Sequence, residues 1–198
     1  MDTTYDERLA AFSRERLDGR PVPDDLRVLL LAHWEGRDDF THLLGLEFFE
    51  EGELHPFLDT GYLSEAELAD PEMQAVNAGV ARLTEYVKLV AKGGKGWVGY
   101  WVHPDEPAVR PIELDTEFTL WQMTGSTLAE AVAFERSAYL DEPDERVAYG
   151  QLAAELAALG LPLGTADYDA LDDSDYTVDP EKLMETLIEA ERAARGLR

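Results

Sequence analysis

The chain has 198 residues, 17 Lys and Arg against 42 Asp and Glu, a net charge of −25 and no cysteine. That length fits one domain, or one domain with an appendage, and a composition 45% hydrophobic and 30% charged is that of a folded chain. Without cysteine there is neither a disulfide framework nor a thiolate metal site, and the acidity disfavours nucleic acid phosphates and anionic lipid surfaces as partners.

No stretch approaches the roughly 20 apolar residues of a membrane span, and MDTTYDERLAAF lacks the basic start of a signal peptide, so a cytoplasmic protein is expected. The charge is unevenly spread. No Lys or Arg occurs between Asp38 and Ala81, and Arg146 is the one basic residue between Ser137 and Glu181. A basic protein is the partner such a surface attracts, set against plain solubility as the bland explanation.

In chain order, Tyr5, Leu9 and Phe12 recur at helical spacing and predict a helix over 4–17, with Gly19 placed to end it. Pro23–Asp24 reads as the cap of a helix over 24–34, with Leu26, Leu29, Leu30 and His33 on its inner face and Gly36 as its stop. HLLGLEFFEEGEL alternates at Leu44, Leu46 and Phe48 and predicts a strand, or an irregular pair of strands, before an acidic Gly turn. Over 72–91, Met73, Val76, Val80, Leu83, Val87 and Val90 are spaced 3, 4, 3, 4 and 3, a stripe that predicts a helix laid on a sheet in preference to a coiled-coil seam. KGGKG then reads as the helix stop, Gly93 or Gly94 taking the left-handed conformation.

In GWVGYWVHP, Trp97, Gly99, Trp101 and His103 fall on one face of a strand and Val98, Tyr100 and Val102 on the other. Bulk on both faces predicts a central strand covered on each side. Gly99 lets another backbone or a ring approach closely, which makes packing the preferred explanation of the aromatic density over a binding platform. PIELDTEF predicts a half-buried strand, with Ile112, Leu114, Thr116 and Phe118 inward and Glu113, Asp115 and Glu117 outward. The intervening HPDEPAVRP suits an antiparallel return.

A helix follows, capped by Ser126 or Thr127, with Leu128, Ala131 and Val132 toward the sheet. After Asp141 come an Ala/Leu helix ending at Gly160, an acidic loop, and a helix capped by Asp179 with Pro180 in its first turn. The expected architecture is α+β, an antiparallel sheet with helices packed against it, with 1–140 as the main unit and 141–198 as a helical extension packed on it.

Chemical signatures are sparse. His33, His42, His55 and His103 stand in no metal-ligand spacing. Asp167, Asp169, Asp172, Asp173 and Asp175 match no register of a calcium loop, which leaves a solvated loop as the preferred reading. KGGKG lacks the strand-to-helix context and the Lys-Ser/Thr ending of a phosphate loop, and no serine lies in a GxSxG elbow. No enzyme activity, cofactor or metal is expected.

The order of motifs, PVPDDLRVLLLAHWEG, then GWVGYWVHP, RPIELDTEF and STLAEAVAFE, resembles the SUKH superfamily, which joins fungal cell-wall-synthesis regulators to many bacterial immunity proteins. Gly96, Trp97, Gly99, Trp101, Leu114 and Asp115 are the matching positions, and the resemblance spans roughly 5–140. Glu-Gly stands at 35–36 where Asn-Gly is usual, the strand lacks a Gly-rich turn that many members carry, and the resemblance does not extend to the region beyond 141. The resemblance implies an α+β domain with an antiparallel sheet, no catalysis, and in bacteria the neutralisation of a protein toxin, often a nuclease.

Such a toxin presents a basic cleft, and acidic side chains dock there with electrostatic steering. The candidate partner contacts are Glu113, Asp115 and Glu117, the acids Glu47, Glu50, Glu51 and Glu53, and Trp97 and Trp101. A nucleic-acid mimic that occupies a host DNA-binding protein is the alternative, and a carboxylate-based hydrolase ranks last.

Overall fold

A computed structural model describes residues 3–139 and 144–197; the expected boundary at 140/141 lies outside the described residues. The elements run α1 (Thr3–Arg16), α2 (Asp24–Trp34), α3 (Asp39–Leu44), β1 (Glu47–Phe48), α4 (Glu65–Ala69), α5 (Pro71–Arg82), β2 (Val87–Lys92), β3 (Gly96–Trp101), β4 (Arg110–Asp115), β5 (Leu120–Gln122), α6 (Leu128–Ser137), α7 (Glu145–Ala158) and α8 (Pro180–Ala194). The five strands form one antiparallel meander in the order β1-β2-β3-β4-β5. The fold is therefore α+β, as expected.

Both faces of the sheet are buried. Val98, Tyr100 and Val102 share one cluster with Leu26, Leu29 and Leu30 of α2, Leu128, Ala129, Ala131, Val132 and Ala133 of α6, and Tyr149, Leu152 and Leu156 of α7. Val87, Leu89, Trp101, Ile112 and Leu114 share the other with Phe57, Tyr176 and Leu187, with Val80 of α5 and Leu183 and Met184 of α8 packed against them. Residues from the 144–197 stretch thus sit in both clusters, and α7 packs on α6 as α8 packs on α5.

The central-strand reading of β3 holds, and so does the role given to Gly99. A Cβ there would lie 2.1 Å from the Lys88 carbonyl oxygen and 2.6 Å from the Leu89 Cα, next to a break in the β2–β3 register between Leu89 and Ala91. The bare backbone is what lets β2 bulge onto β3.

Several expectations are corrected. The 72–91 helix ends at Arg82; residues 83–85 form a 3-10 turn and Val87–Lys92 is a strand. Val87–Ala91 are buried without interruption, so this strand is covered on both faces and shows no alternation that could separate it from a helix. KGGKG accordingly joins two strands, with the Gly93 N–H donating to the Gly96 carbonyl at 2.8 Å.

In the third stretch, residues up to Leu44 belong to α3, which ends at Gly45 with φ 66°, and the strand is reduced to Glu47–Phe48. Leu44, Leu46 and Phe48 are all buried in the same cluster. Glu113 does not face solvent: the face opposite Ile112 and Leu114 is covered as well, and Glu113 is 5% exposed. Past Asp115 the strand turns, leaving Thr116 exposed, not inward, and Phe118 half-buried. His33 of α2 is likewise exposed, its ring 5.4 Å from that of Phe48.

Capping follows the sequence closely. Thr127 caps α6 through a capping box with Glu130. The buried Glu130 carboxylate also accepts from the Thr165 N–H at 3.1 Å, and Asp25 of α2 accepts from the Ala129 N–H at 3.0 Å. Two carboxylates at one helix N-terminus complement its dipole while tying α2 and the 160s loop to α6. Asp179 caps α8, with Pro180 in the first turn.

Candidate functional site

The β4–β5 turn, residues 115–119, organises the candidate site. Asp115 accepts from the Glu117 N–H at 2.8 Å, the Thr119 N–H at 2.9 Å and the Trp121 Nε1–H at 2.8 Å. The Trp121 bond and the two backbone bonds hold the Asp115 carboxyl below its ordinary range, since each favours the charged form. Its oxygens are occupied in fixing the turn, so Asp115 shapes the site and offers little to a partner.

The turn holds Phe118 at φ 65°. A bulky residue in that left-handed region is strained, and such strain persists where the surroundings impose it. Here they do: the Phe118 ring lies 6.1 Å from Trp97, 6.1 Å from Tyr62 and 6.3 Å from Phe57 between ring centres. Phe57 is core, Trp97 and Phe118 are half-buried, and Tyr62 is 64% exposed. The cluster thus grades from the core outward. Round the turn, Trp121 is 53% exposed with its indole N–H already committed to Asp115.

Acids rim the rings. Glu47, Trp97, Asp115 and Glu117 line one shallow groove with the 93–96 turn, because Glu47 pairs with Lys92, Lys92 with Trp97, and Gly96 with Asp115 across the sheet. Glu47 and Glu117 are exposed. The two lysines in the groove are neutralised by other carboxylates: Lys92 sits 2.9 Å from Glu53, and Lys95 pairs with Glu135. The Lys92 contact also holds the Glu53 carboxyl below its ordinary range. Exposed Leu58 and Leu68 belong to the same Lys/Arg-free stretch as Tyr62.

The structure brings together Glu47, Trp97, Asp115 and Glu117 and separates the other candidates. Glu50, Glu51 and Glu53 belong to a loop tied to α1: the Arg16 guanidinium donates to the Glu50 carbonyl at 3.0 Å and the Glu53 carbonyl at 2.7 Å. Glu50 and Glu51 are exposed there, beside a hollow shared with Arg8 and Trp34. Trp101 is fully buried between Tyr86 and His103, its ring stacked 5.7 Å from the latter, and reaches no surface. Glu113 is buried behind the sheet and belongs to a second cavity.

Sequence reasoning missed Tyr62 and Phe118. The available signal was a tyrosine among exposed acids with no basic residue nearby and a phenylalanine preceded by Asp-Thr-Glu, a turn-forming run read as strand.

The acidic loop is locally satisfied. Asp167 accepts from the Asp169 N–H at 3.1 Å, Asp169 pairs with Arg146 at 2.8 Å, and Asp172 accepts from the Ser174 N–H at 3.1 Å and lies 3.5 Å from Arg110. Among the described residues no group of three or more His, Asp or Glu could hold a metal ion, and no helix is long and apolar enough to cross a membrane. No family model, curated protein or solved structure matches the chain.

Proposed function

We propose that this chain is a non-enzymatic protein-binding domain that captures a basic protein through the Phe118 cluster, in the toxin-neutralising manner that the SUKH resemblance implies. The observation that carries the reading is the strained aromatic turn, with exposed Tyr62 and half-buried Trp97 against Phe118 and with Glu47 and Glu117 lining one groove with Trp97. Aromatic anchors ringed by polar groups are where binding energy concentrates. A Lys or Arg side chain laid on Trp97 would gain both the ring quadrupole and a carboxylate of the groove, and one laid on Tyr62 the ring quadrupole. With a net charge of −25, the field of the whole chain speeds such an encounter.

The test compares the wild-type chain with a Tyr62→Ala/Glu117→Lys variant, each immobilised and exposed to extract of the source organism. The expected result is one dominant basic protein held by the wild type, released by moderate salt and absent from the variant. That protein should arrest growth when expressed without this chain and not when expressed with it. Equal retention by both forms, or a retained partner whose expression is harmless, would overturn the proposal. Capture of a host DNA-binding protein displaced by duplex DNA would instead identify a nucleic-acid mimic.

A further inference from the structure

On the other side of the 93–95 turn, beneath the C-terminal half of α6, lies a cleft of about 310 Å³. Its walls include Leu44, Val98, Met123 and Val132, its charged groups are Lys95, Glu113, Glu135 and Arg136, and Tyr139 also lines it. Lys95 is committed to Glu135, and its ammonium remains 4.0 Å from the Glu113 carboxylate, too far for a hydrogen bond. Glu113 therefore accepts no hydrogen bond among the described residues, although its side chain is only 7% exposed. Arg136, in a chain with 42 acids, makes no ion pair or side-chain hydrogen bond among the described residues, and its Nε is buried without a partner. Its guanidinium lies against Gly45, where a Cβ would stand 3.6 Å from the guanidinium carbon.

Among the described residues, Glu113, a buried carboxylate that accepts no hydrogen bond and has only Lys95 at 4.0 Å, and the half-buried Arg136, whose Nε has no partner, are both costly to hold in one apolar cleft. The desolvation shows in Glu113, whose carboxyl is pushed above its ordinary range by burial despite Lys95.

We propose that the cleft binds a small zwitterion with an apolar body. The anionic head meets Arg136, the ammonium meets Glu113, and the hydrocarbon body packs on Leu44, Val98, Met123 and Val132. The volume lies at the lower end of small-molecule sites and fits a molecule of amino-acid size. A metal ion is a poor match, because among the described residues no group of three or more ligand side chains could hold one here. An anion alone would leave Glu113 without a hydrogen-bond donor, and a cation alone would leave the Arg136 Nε without an acceptor among the described residues. This site is independent of the Phe118 cluster, and neither reading depends on the other.

The experiment titrates isotope-labelled protein with L-phenylalanine and 6-aminohexanoate, two zwitterions of different charge spacing, and with hexylamine and hexanoate, which carry one head each. The amide signals of Gly45, Gly93 and Gly94 report on the cleft. At least one zwitterion should move those signals saturably, with each single-headed probe binding at least about tenfold more weakly, the worth of one lost charged hydrogen bond. Glu113→Gln and Arg136→Gln should each weaken the zwitterion by a similar factor, while Glu117→Gln leaves it unchanged. The comparison of probes needs only the wild-type chain, so misfolding of a variant cannot mask the answer. Three results would overturn the proposal: no shift at about 10 mM of either zwitterion, equal binding of hexanoate or hexylamine, or an unaltered affinity in folded Glu113→Gln.

Discussion

On one face of the sheet, α6 brings the buried Ala129, Ala131 and Ala133 to the cluster that holds Val98 and Tyr100, and α2 and α7 close in around it. On the other, α5 and α8 pack chiefly on each other, and α8 meets the sheet at β5, where Glu181 accepts from the Leu120 N–H. Small side chains let a helix lie close and seal a face. A bulkier helix pair that meets the sheet at its β5 edge covers its face less closely, and at the β4–β5 turn Trp97, Phe118 and Tyr62 pack on one another. The exposed Tyr62 and Trp121 thus lie at the margin of the second face, while the first face leaves a walled cleft with charged groups inside it and the exposed Tyr139 in its lining. The difference between the faces separates the surface proposed for a protein from the cavity proposed for a small molecule.

The largest perturbation joins the faces. Gly99→Ala would drive a Cβ into the Lys88 carbonyl, a backbone atom that cannot swing aside. A loss of more than ~3 kcal/mol is expected, measured as the urea midpoint, with both clusters affected together.

His55 distinguishes the second face by pH. Burial, helped by the Lys88 and Arg16 cations, lowers its pKa to about 4 from an ordinary 6.5. The folded state keeps it neutral, while the unfolded chain takes up a proton below pH 6.5. Its contribution is therefore complete above that value and is lost as pH falls toward 4, up to about 3 kcal/mol in all. Replacing it as His55→Gln should flatten stability across that window, as read by melting temperature against pH. An unchanged slope would place the acid sensitivity elsewhere.

Gly79→Ala tests the second face alone. Its Cβ would lie 2.6 Å from the Ile188 Cα, wedging α5 from α8. About 2 kcal/mol should be lost after the small gain in helix propensity, with Trp101 fluorescence shifted to the red.

The smallest stability effect is expected where the functional effect is large. Phe118→Gly relieves the strain at φ 65° while deleting the ring, so stability should change by no more than about 1 kcal/mol. Capture of the basic partner should nevertheless be lost, and a variant that retains full binding would remove Phe118 from the interface. Glu113→Gln completes the comparison on the first face. It should raise the melting temperature at neutral pH by removing a desolvated carboxylate, with the gain fading in acid as the wild-type carboxyl takes up its proton.

Local signals read well wherever one segment carries its own evidence. Helix α2 has its apolar spacing, its Pro-Asp start and Gly36, and it spans 24–34 as expected. Thr127, Asp179 and Pro180 mark helix starts because a cap is satisfied within a few residues. The alternation of β3 is legible because its two faces carry different side chains, and Gly99 because only close backbone approach requires a bare Cα in so bulky a strand.

What failed did so for one recurrent reason. Val87 and Val90 continue the spacing of α5, and nothing local says that residues 87–91 are covered from both sides. Glu113 alternates with Ile112 and Leu114, and nothing local says that its face is occupied by α6. Glu47, Trp97, Asp115 and Glu117 were legible as candidates, but their grouping depends on register, and the addition of Tyr62 and Phe118 on a turn geometry fixed by Asp115 and Trp121.

The sequence by itself determined the charge, the α+β class, most helix limits and the two-sided character of β3, since these rest on composition, capping and short-range periodicity. Only the tertiary structure decided which faces are covered, where the helix of 72–91 gives way to strand, and which acids meet which rings. Burial belongs to pairs of segments far apart in the chain, and a residue's own neighbours in sequence carry no record of what will be folded against it.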